Sequence, residues 1–160
     1  MQTIITAAAI FSMYLNAAEN QNSNYYYNAD MENGKVTTMY VYTEDGQSLS
    51  GKVAYHYEYD EQDRLVKKET MRWDSQRNQW VNERCLELTY TTEGYEVAMR
   101  KWDRNGQAYL PVMEKAVYHY AFNQVMAVNY LRRQAEDKDY TSEGGMFVMN
   151  PTEGILLATR

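Results

Sequence analysis

Aromatic side chains are the groups in this sequence whose types and spacing could bind a ligand. The 160 residues include 16 Tyr and 3 Trp, and tyrosines recur at every second position within 55–59 and 118–120. Because side chains alternate between the faces of a β-strand, this spacing puts the rings in a row on one face. Such a row stacks on sugars or anchors a protein partner if it is uncovered, and forms core if a second layer covers it. Both roles are open at this stage. The candidate binding residues are Tyr55, Tyr57, Trp73, Trp80, Trp102, Tyr118 and Tyr120.

The two histidines are the first candidates for metal binding. His56 and His119 both stand in Tyr-His-Tyr triplets, so alternation places them on the face opposite the tyrosines. A metal would need a third and a fourth ligand there, and the nearby positions offer little beyond the carboxylates of Glu58 and Glu87. We therefore predict that both histidines are surface residues and that the protein has no metal site and no cofactor.

Patterns typical of catalysis are missing from the sequence. The acidic cluster at 58–63 could supply Ca²⁺ ligands or paired carboxylates for hydrolysis, but aspartates at a turn commonly bond to their own backbone. The sequence has no Gly-x-Ser-x-Gly element and no Gly-x-Gly-x-x-Gly loop. The single cysteine, Cys85, lies in an alternating strand pattern and can form no intramolecular disulfide. We predict no catalytic residue.

The elements that would position these side chains are β-hairpins repeated along the chain. In each repeat an aromatic residue opens a polar turn and a strand follows. Asn33-Gly34 is a strong signal for a tight hairpin, and Gly106, in an Asn-Gly turn, is expected to need a positive φ. The repeated segments begin at Tyr42, Tyr59, Trp73, Tyr90 and Trp102.

The alternating pattern predicts an all-β fold, an antiparallel β-meander in a single twisted or curled sheet. Residues 124–139 fit either a strand or an amphipathic helix, and the repeat register favours a strand in the first half. Residues 140–145 are polar and Gly-rich and are predicted to be a loop, followed by a last hairpin with arms 146–149 and 155–159. The predicted strands are 24–28, 35–43, 49–60, 64–73, 79–90, 95–102, 108–122 and 125–133.

The first residues differ from the rest of the chain. Ile4 to Leu15 is an apolar run without charge, and the small residues Ala17 and Ala18 follow it. This pattern is typical of a secretory signal peptide, although a buried first helix or strand is the alternative. We expect a signal peptide at 1–18, one domain at 19–160, and a mature protein that is periplasmic or extracellular. The leader has no cysteine, so no lipid anchor is expected.

The charge of the chain excludes some partners. The formal net charge is -6 and the pI is about 5.0. Nucleic acid and anionic membrane surfaces do not attract a net acidic protein, so neither is expected as a partner.

The segment at 57–69 resembles the Tyr-Asp repeat of Rhs-type bacterial surface and toxin-shell proteins. In that family the repeats are structural, so the resemblance implies no catalytic residue. The whole chain is also similar to small exported proteins of unknown function from Bacteroides-type bacteria. The residues that carry the Tyr-Asp resemblance are Tyr59, Asp60, Asp63, Arg64 and Leu65.

Together these patterns favour an exported, non-catalytic binding or structural module. Its ligand would be a glycan or a protein, and a second copy could pair with it through the aromatic face. The alternative is a hydrolase-like enzyme that acts on an extracellular polymer through paired carboxylates.

Overall fold

The protein is an all-β antiparallel meander, described here by a computed structural model that covers residues 5–20, 24–122 and 125–148. The ten strands follow one another in sequence order within one sheet, except that β7 pairs with β6 beside the main path. One helix, α1 (Ala7–Glu19), precedes them. The strands are β1 (Tyr25–Glu32), β2 (Lys35–Asp45), β3 (Ser48–Tyr59), β4 (Leu65–Asp74), β5 (Gln79–Thr91), β6 (Gly94–Asp103), β7 (Ala108–Tyr109), β8 (Glu114–Phe122), β9 (Val125–Arg132) and β10 (Thr141–Val148).

The predicted fold class is confirmed, and most predicted strands agree with the structure within a few residues. The predicted strand at 108–122 is divided into β7 and β8. Pro111 lies between them, and its missing N–H removes a ladder hydrogen bond. Residues 125–132 form a strand and not a helix, as the repeat register favoured.

The loop prediction at 140–145 is wrong, because β10 pairs with β9 from Thr141 to Val148. The ladder uses backbone groups only, so glycines can take part in it without any apolar side chain. The register shifts between Ser142 and Gly144, where the strand has one extra residue. The second arm of the expected last hairpin, 155–159, lies outside the described residues.

Two turns share one geometry. In each, a carboxylate at the end of a strand accepts a backbone hydrogen bond of 3.0 Å, from Gln76 to Asp74 and from Asn105 to Asp103. The left-handed residue comes four positions after the aspartate in both, at Asn78 (φ 53°) and at Gln107 (φ 50°). The prediction of a positive φ at Gly106 is therefore wrong, because the left-handed residue is the one after it.

Helix α1 occupies most of the apolar leader. The Thr6 hydroxyl caps it by accepting a hydrogen bond of 3.2 Å from the Ala9 N–H. Ile10 is fully buried, and the helix packs against β1 and β2. Among the described residues, no helix is long and apolar enough to span a bilayer.

The chain divides into two compact units. The N-terminal unit is Thr6–Arg84, and the C-terminal unit is Cys85–Arg160 with Met1–Ile5. Val53, Tyr55 and Tyr57 of β3, which the predicted alternation places on one face, are buried in the N-terminal unit. Buried residues of the C-terminal unit include Leu88, Tyr95, Val97, Met126 and Val128.

Candidate functional site

The candidate aromatic residues do not form a single row. Tyr55 and Tyr57 are only 6% and 2% exposed, so they belong to the core of the N-terminal unit. The hydroxyl of Tyr57 is buried and has no hydrogen-bond partner among the described residues. Burial raises the pKa of Tyr57 far above its usual value. Neither ring is accessible to a ligand in this structure.

Trp73 and Trp80 instead belong to an aromatic cluster with Tyr40 and Tyr42, all four rings being half-buried. The ring centroids are 5.1 Å apart for Trp73 and Trp80, with the planes at 67°. Tyr40 lies 5.8 Å from Trp80 and 6.4 Å from Tyr42. Edge-to-face and tilted pairs at these separations stabilise each other beyond the area they bury. The aromatic cluster is a connected surface of four rings.

Gly51 makes room for the aromatic cluster. It pairs with Tyr42 across β2 and β3. A Cβ atom at position 51 would lie 3.0 Å from Trp80 and 3.1 Å from Trp73, which is closer than packed carbon atoms approach. The missing side chain on β3 therefore lets the two indoles lie directly on the backbone.

Strand register places the aromatic cluster on the face opposite the buried tyrosines. Tyr40 pairs with Ala54, and residues directly opposite in a ladder point to the same face. Ala54 precedes Tyr55, so the two side chains point to opposite faces. The aromatic cluster is thus on the less buried side of β3, where the sequence predicted polar residues.

Polar side chains continue the same face beyond the aromatic cluster. We call Thr38, His56, Glu58, Lys67 and Glu69 the polar patch. His56 pairs with Thr38 on one side and with Glu69 on the other, and Thr38 Oγ1 is 3.1 Å from His56 Nδ1. His56 and Ala54 are two residues apart on β3. The polar patch therefore begins about 7 Å from Ala54, which is the cross-strand partner of Tyr40.

Lys67 holds both carboxylates of the polar patch. Its ammonium lies 3.1 Å from Glu58 Oε1 and 3.1 Å from Glu69 Oε1. Burial acts to lower the pKa of Lys67, but the hydrogen bonds and charges of Glu69 and Glu58 outweigh it and raise the pKa. These two carboxylates are therefore ion-paired.

A carboxylate also borders the aromatic cluster. The hydroxyl of Tyr40 donates a hydrogen bond of 2.8 Å to Asp30 Oδ2. This bond, together with partial burial, raises the pKa of Tyr40. Asp30 is exposed, so its remaining acceptor capacity faces solvent beside an aromatic ring.

The other candidate residues lie in the C-terminal unit. Trp102 packs edge to face on Tyr109 with centroids 4.9 Å apart. Tyr118 stacks on buried Tyr95 at 4.5 Å and 14°, and burial raises the pKa of Tyr118. Tyr120 is half-buried. Trp102 and Tyr118 thus pair with rings of their own unit, and none of the three candidate residues belongs to the aromatic cluster.

The C-terminal unit also has a groove of about 340 Å³. Val97, Ala116 and Tyr130, which are neighbours across β6, β8 and β9, line its apolar part. Arg132 and Glu114 form an ion pair of 3.4 Å at its margin.

The acidic cluster at 58–63 has a structural role. Asp60 Oδ1 accepts hydrogen bonds from the backbone of Gln62 (3.0 Å) and Arg64 (2.9 Å), and Arg64 Nε lies 2.7 Å from Asp60 Oδ2. Burial opposes the effect, but the bonds from Arg64 and Gln62 hold the pKa of Asp60 below its usual value. Asp63 pairs with Lys35. The aspartates stabilise the turn, as predicted.

The sequence analysis missed Tyr40, Tyr42, Gly51 and Glu69. A signal for the two tyrosines was present, because they recur at period two within the predicted strand 35–43. Gly51 and Glu69 could not be singled out from the sequence, because their roles depend on the strand register. The register pairs Gly51 with Tyr42 and Glu69 with His56.

Solved structures with a similar fold include two proteins from Bacteroides species. A DUF3836 family protein from Bacteroides vulgatus is 27% identical, with a TM-score of 0.52 over 55% of this chain and 90% of that chain. A protein of unknown function from Bacteroides fragilis is 19% identical, with a TM-score of 0.66 over 82% of this chain and 98% of that chain. No curated protein matches the sequence.

The expected similarity to Bacteroides-type proteins of unknown function is thus confirmed, whereas the resemblance to Rhs-type repeats is not. The family model described as DUF3836, a family of unknown function, matches residues 1–120. This match spans more than half of the chain, and the protein belongs to the DUF3836 family.

Proposed function

We propose that this protein is an exported, non-catalytic binding module that binds carbohydrate through the aromatic cluster of its N-terminal unit. The observation that carries the proposal is the set of four half-buried rings that lie over and beside Gly51. Rings in the protein interior are covered, whereas these keep part of their surface available to a partner.

Carbohydrate suits this surface because a sugar ring has an apolar C–H face and polar edges. The C–H face can lie on an indole or phenol ring. The hydroxyls then need hydrogen-bond partners, as in binding sites that combine apolar walls with a few placed polar groups. Asp30, which already accepts from Tyr40, and the neighbouring polar patch supply such partners.

The charges on this face favour binding over hydrolysis. A glycosidase needs one carboxylic acid that keeps its proton and a second carboxylate at a defined separation. Glu58 and Glu69 instead both lie 3.1 Å from the ammonium of Lys67, so the two carboxylates share one cation and are not arranged as a separate acid and nucleophile. The face is therefore better suited to hold a sugar than to cleave it.

Export is part of the proposal and rests on the apolar leader that ends at Ala17 and Ala18. Cleavage after about Ala18 would remove nearly all of α1. N-terminal sequencing of the protein recovered from the periplasm or the medium tests this step. A first residue near Glu19 supports export, and a mature protein that starts at Met1 contradicts it.

A glycan array tests the binding step. The protein should bind one class of glycan with accessible pyranose faces, and Trp80→Ala should abolish this signal while the variant keeps the thermal transition of a folded protein. An array without any bound glycan, or one that Trp80→Ala leaves unchanged, would overturn the proposal.

A further inference from the structure

Three potential metal ligands converge in the polar patch. One ligand atom from each of His56, Glu58 and Glu69 lies within 4.8 Å of the other two. Register explains the convergence: His56 is directly opposite Glu69, and Glu58 is the next residue of β3 on the same face. The sequence offered Glu58 and Glu87 as possible further ligands, but it gave no sign of Glu69, which lies on a different strand.

The carboxylates of Glu58 and Glu69 already bind a cation, the ammonium of Lys67. The ammonium of Lys67 bridges Glu58 and Glu69 at 3.1 Å each. The side chain of Lys67 is 27% exposed and that of Glu58 is 48% exposed, so the ammonium has a path to solvent that does not cross the core. A divalent ion brings twice the charge to these carboxylates and can replace the ammonium.

One ring nitrogen of His56 contacts a threonine hydroxyl. Its Nδ1 lies 3.1 Å from Thr38 Oγ1, and Thr38 is itself buried. When Nδ1–H donates to the threonine, Nε2 keeps the lone pair that a metal needs. Metal-binding histidines typically have their second ring nitrogen fixed by such a bond.

We propose that His56, Glu58 and Glu69 form a binding site for a divalent transition-metal ion, with Zn²⁺ as the best fit, in which the ion replaces the ammonium of Lys67. One imidazole nitrogen and two carboxylate oxygens are donors that zinc accepts, with water as the fourth ligand. Calcium and magnesium prefer oxygen donors alone. This site does not depend on the carbohydrate proposal.

To bind zinc, the three ligand atoms need to move only a short distance closer to one another. Bonds of about 2.0–2.2 Å in a tetrahedral site bring ligand atoms to about 3.4 Å from one another. Glu58, the most exposed of the three, can supply this movement by rotating on β3.

Titration of the metal-free full-length protein with ZnCl₂ by calorimetry tests the site. The wild type should bind one zinc ion per chain, and His56→Ala should weaken this binding by more than about tenfold. His119→Ala is the matched control, because His119 lies in the other unit and outside the cluster, and it should bind zinc as the wild type does.

Two further variants keep the test decisive if His56→Ala fails to fold. Glu58→Gln changes an exposed side chain and should also weaken zinc binding, whereas Lys67→Met removes the competing ammonium and should tighten it. The proposal is overturned if the wild type binds no zinc, if Glu58→Gln leaves binding unchanged, or if Lys67→Met weakens it.

Discussion

Trp73 packs edge-on against Trp80, with ring centroids 5.1 Å apart, and both indoles lie against Gly51 of β3. Two strands that follow each other in sequence thus hold their tryptophans over a glycine on a third strand. The carbohydrate proposal depends on this arrangement, because it turns separate rings into one surface.

Gly51→Val should disrupt the arrangement. The new side chain would begin about 3 Å from both indoles, and overpacking of this kind costs about 1–3 kcal/mol. Urea denaturation followed by indole fluorescence measures the loss. Ser50→Val, one residue away on the same strand and half-buried, is the control and should stay within about 0.5 kcal/mol of the wild type. Equal stability of the two variants would show that the indoles do not lie on Gly51.

Tyr57 should tolerate the loss of its hydroxyl but not of its ring. Because the buried hydroxyl has no partner in the part of the chain that the structure describes, Tyr57→Phe should stabilise the protein by about 1 kcal/mol. Tyr57→Ala should cost about 3 kcal/mol or more, since the ring is buried. His56→Ala, on the opposite face, should change stability by less than about 1 kcal/mol. Denaturant melts of the three variants decide the register, and a larger loss from His56→Ala than from Tyr57→Ala would reverse the assignment of the faces.

The left-handed residue of the turn between β6 and β7 should prefer glycine. Gln107 has a φ of 50°, which costs a non-glycine residue about 1 kcal/mol. Gln107→Gly should therefore raise the melting temperature. The exposed turn residue Gln47 has no positive φ, so Gln47→Gly is the control and should lower it. If Gln107→Gly also lowers the melting temperature, the strain lies elsewhere in the turn.

The sequence alone could predict which residues share a face of β3 and where the turns lie. Alternation was sufficient to place Tyr57 and His56 on opposite faces, because the period of a strand is two whatever it pairs with. It could not decide whether the face of Tyr57 is core or binding surface. The turn at 102–109 could be located, but not its left-handed residue. Asp103 accepts a hydrogen bond from the Asn105 N–H, and the left-handed residue of this turn is Gln107 and not Gly106.

The aromatic cluster and the polar patch could not be derived in this way. Both depend on which residues of different strands lie side by side, as Tyr42 does with Gly51 and His56 with Glu69. A single β-bulge changes such pairings by one residue, and the register shifts between Val41 and Tyr42. The local pattern of one strand does not contain that information.

Lys68 should make stability depend on pH. It is 3% exposed, with its ammonium 4.4 Å from the centre of the Tyr55 ring. Burial, assisted by the charge of Arg84, lowers the pKa of Lys68 to about 8. The folded protein then binds fewer protons than the unfolded chain between about pH 8 and pH 10.5, so stability rises with pH across that window.

Lys68→Met removes the free-energy cost of burying a charged ammonium. This variant should be more stable than the wild type by up to about 3 kcal/mol near pH 7. The difference should shrink as the pH rises from about 8 to about 10.5. Thermal melts across this range measure it, with Lys101→Met at an exposed position as the control. A difference that stays constant with pH would mean that burial does not lower the pKa of Lys68.

The central claim is that the aromatic cluster of the N-terminal unit binds carbohydrate. Its most direct test is calorimetric titration of a glycan identified on the array into the wild type, Trp80→Ala and Trp102→Ala. Both variants lose one indole from an edge-to-face pair, but only Trp80 belongs to the aromatic cluster. We predict that Trp80→Ala weakens the affinity by about tenfold or more, equivalent to about 1.4 kcal/mol, while Trp102→Ala binds within about twofold of the wild type. Equal losses in the two variants, or a loss confined to Trp102→Ala, would contradict the account.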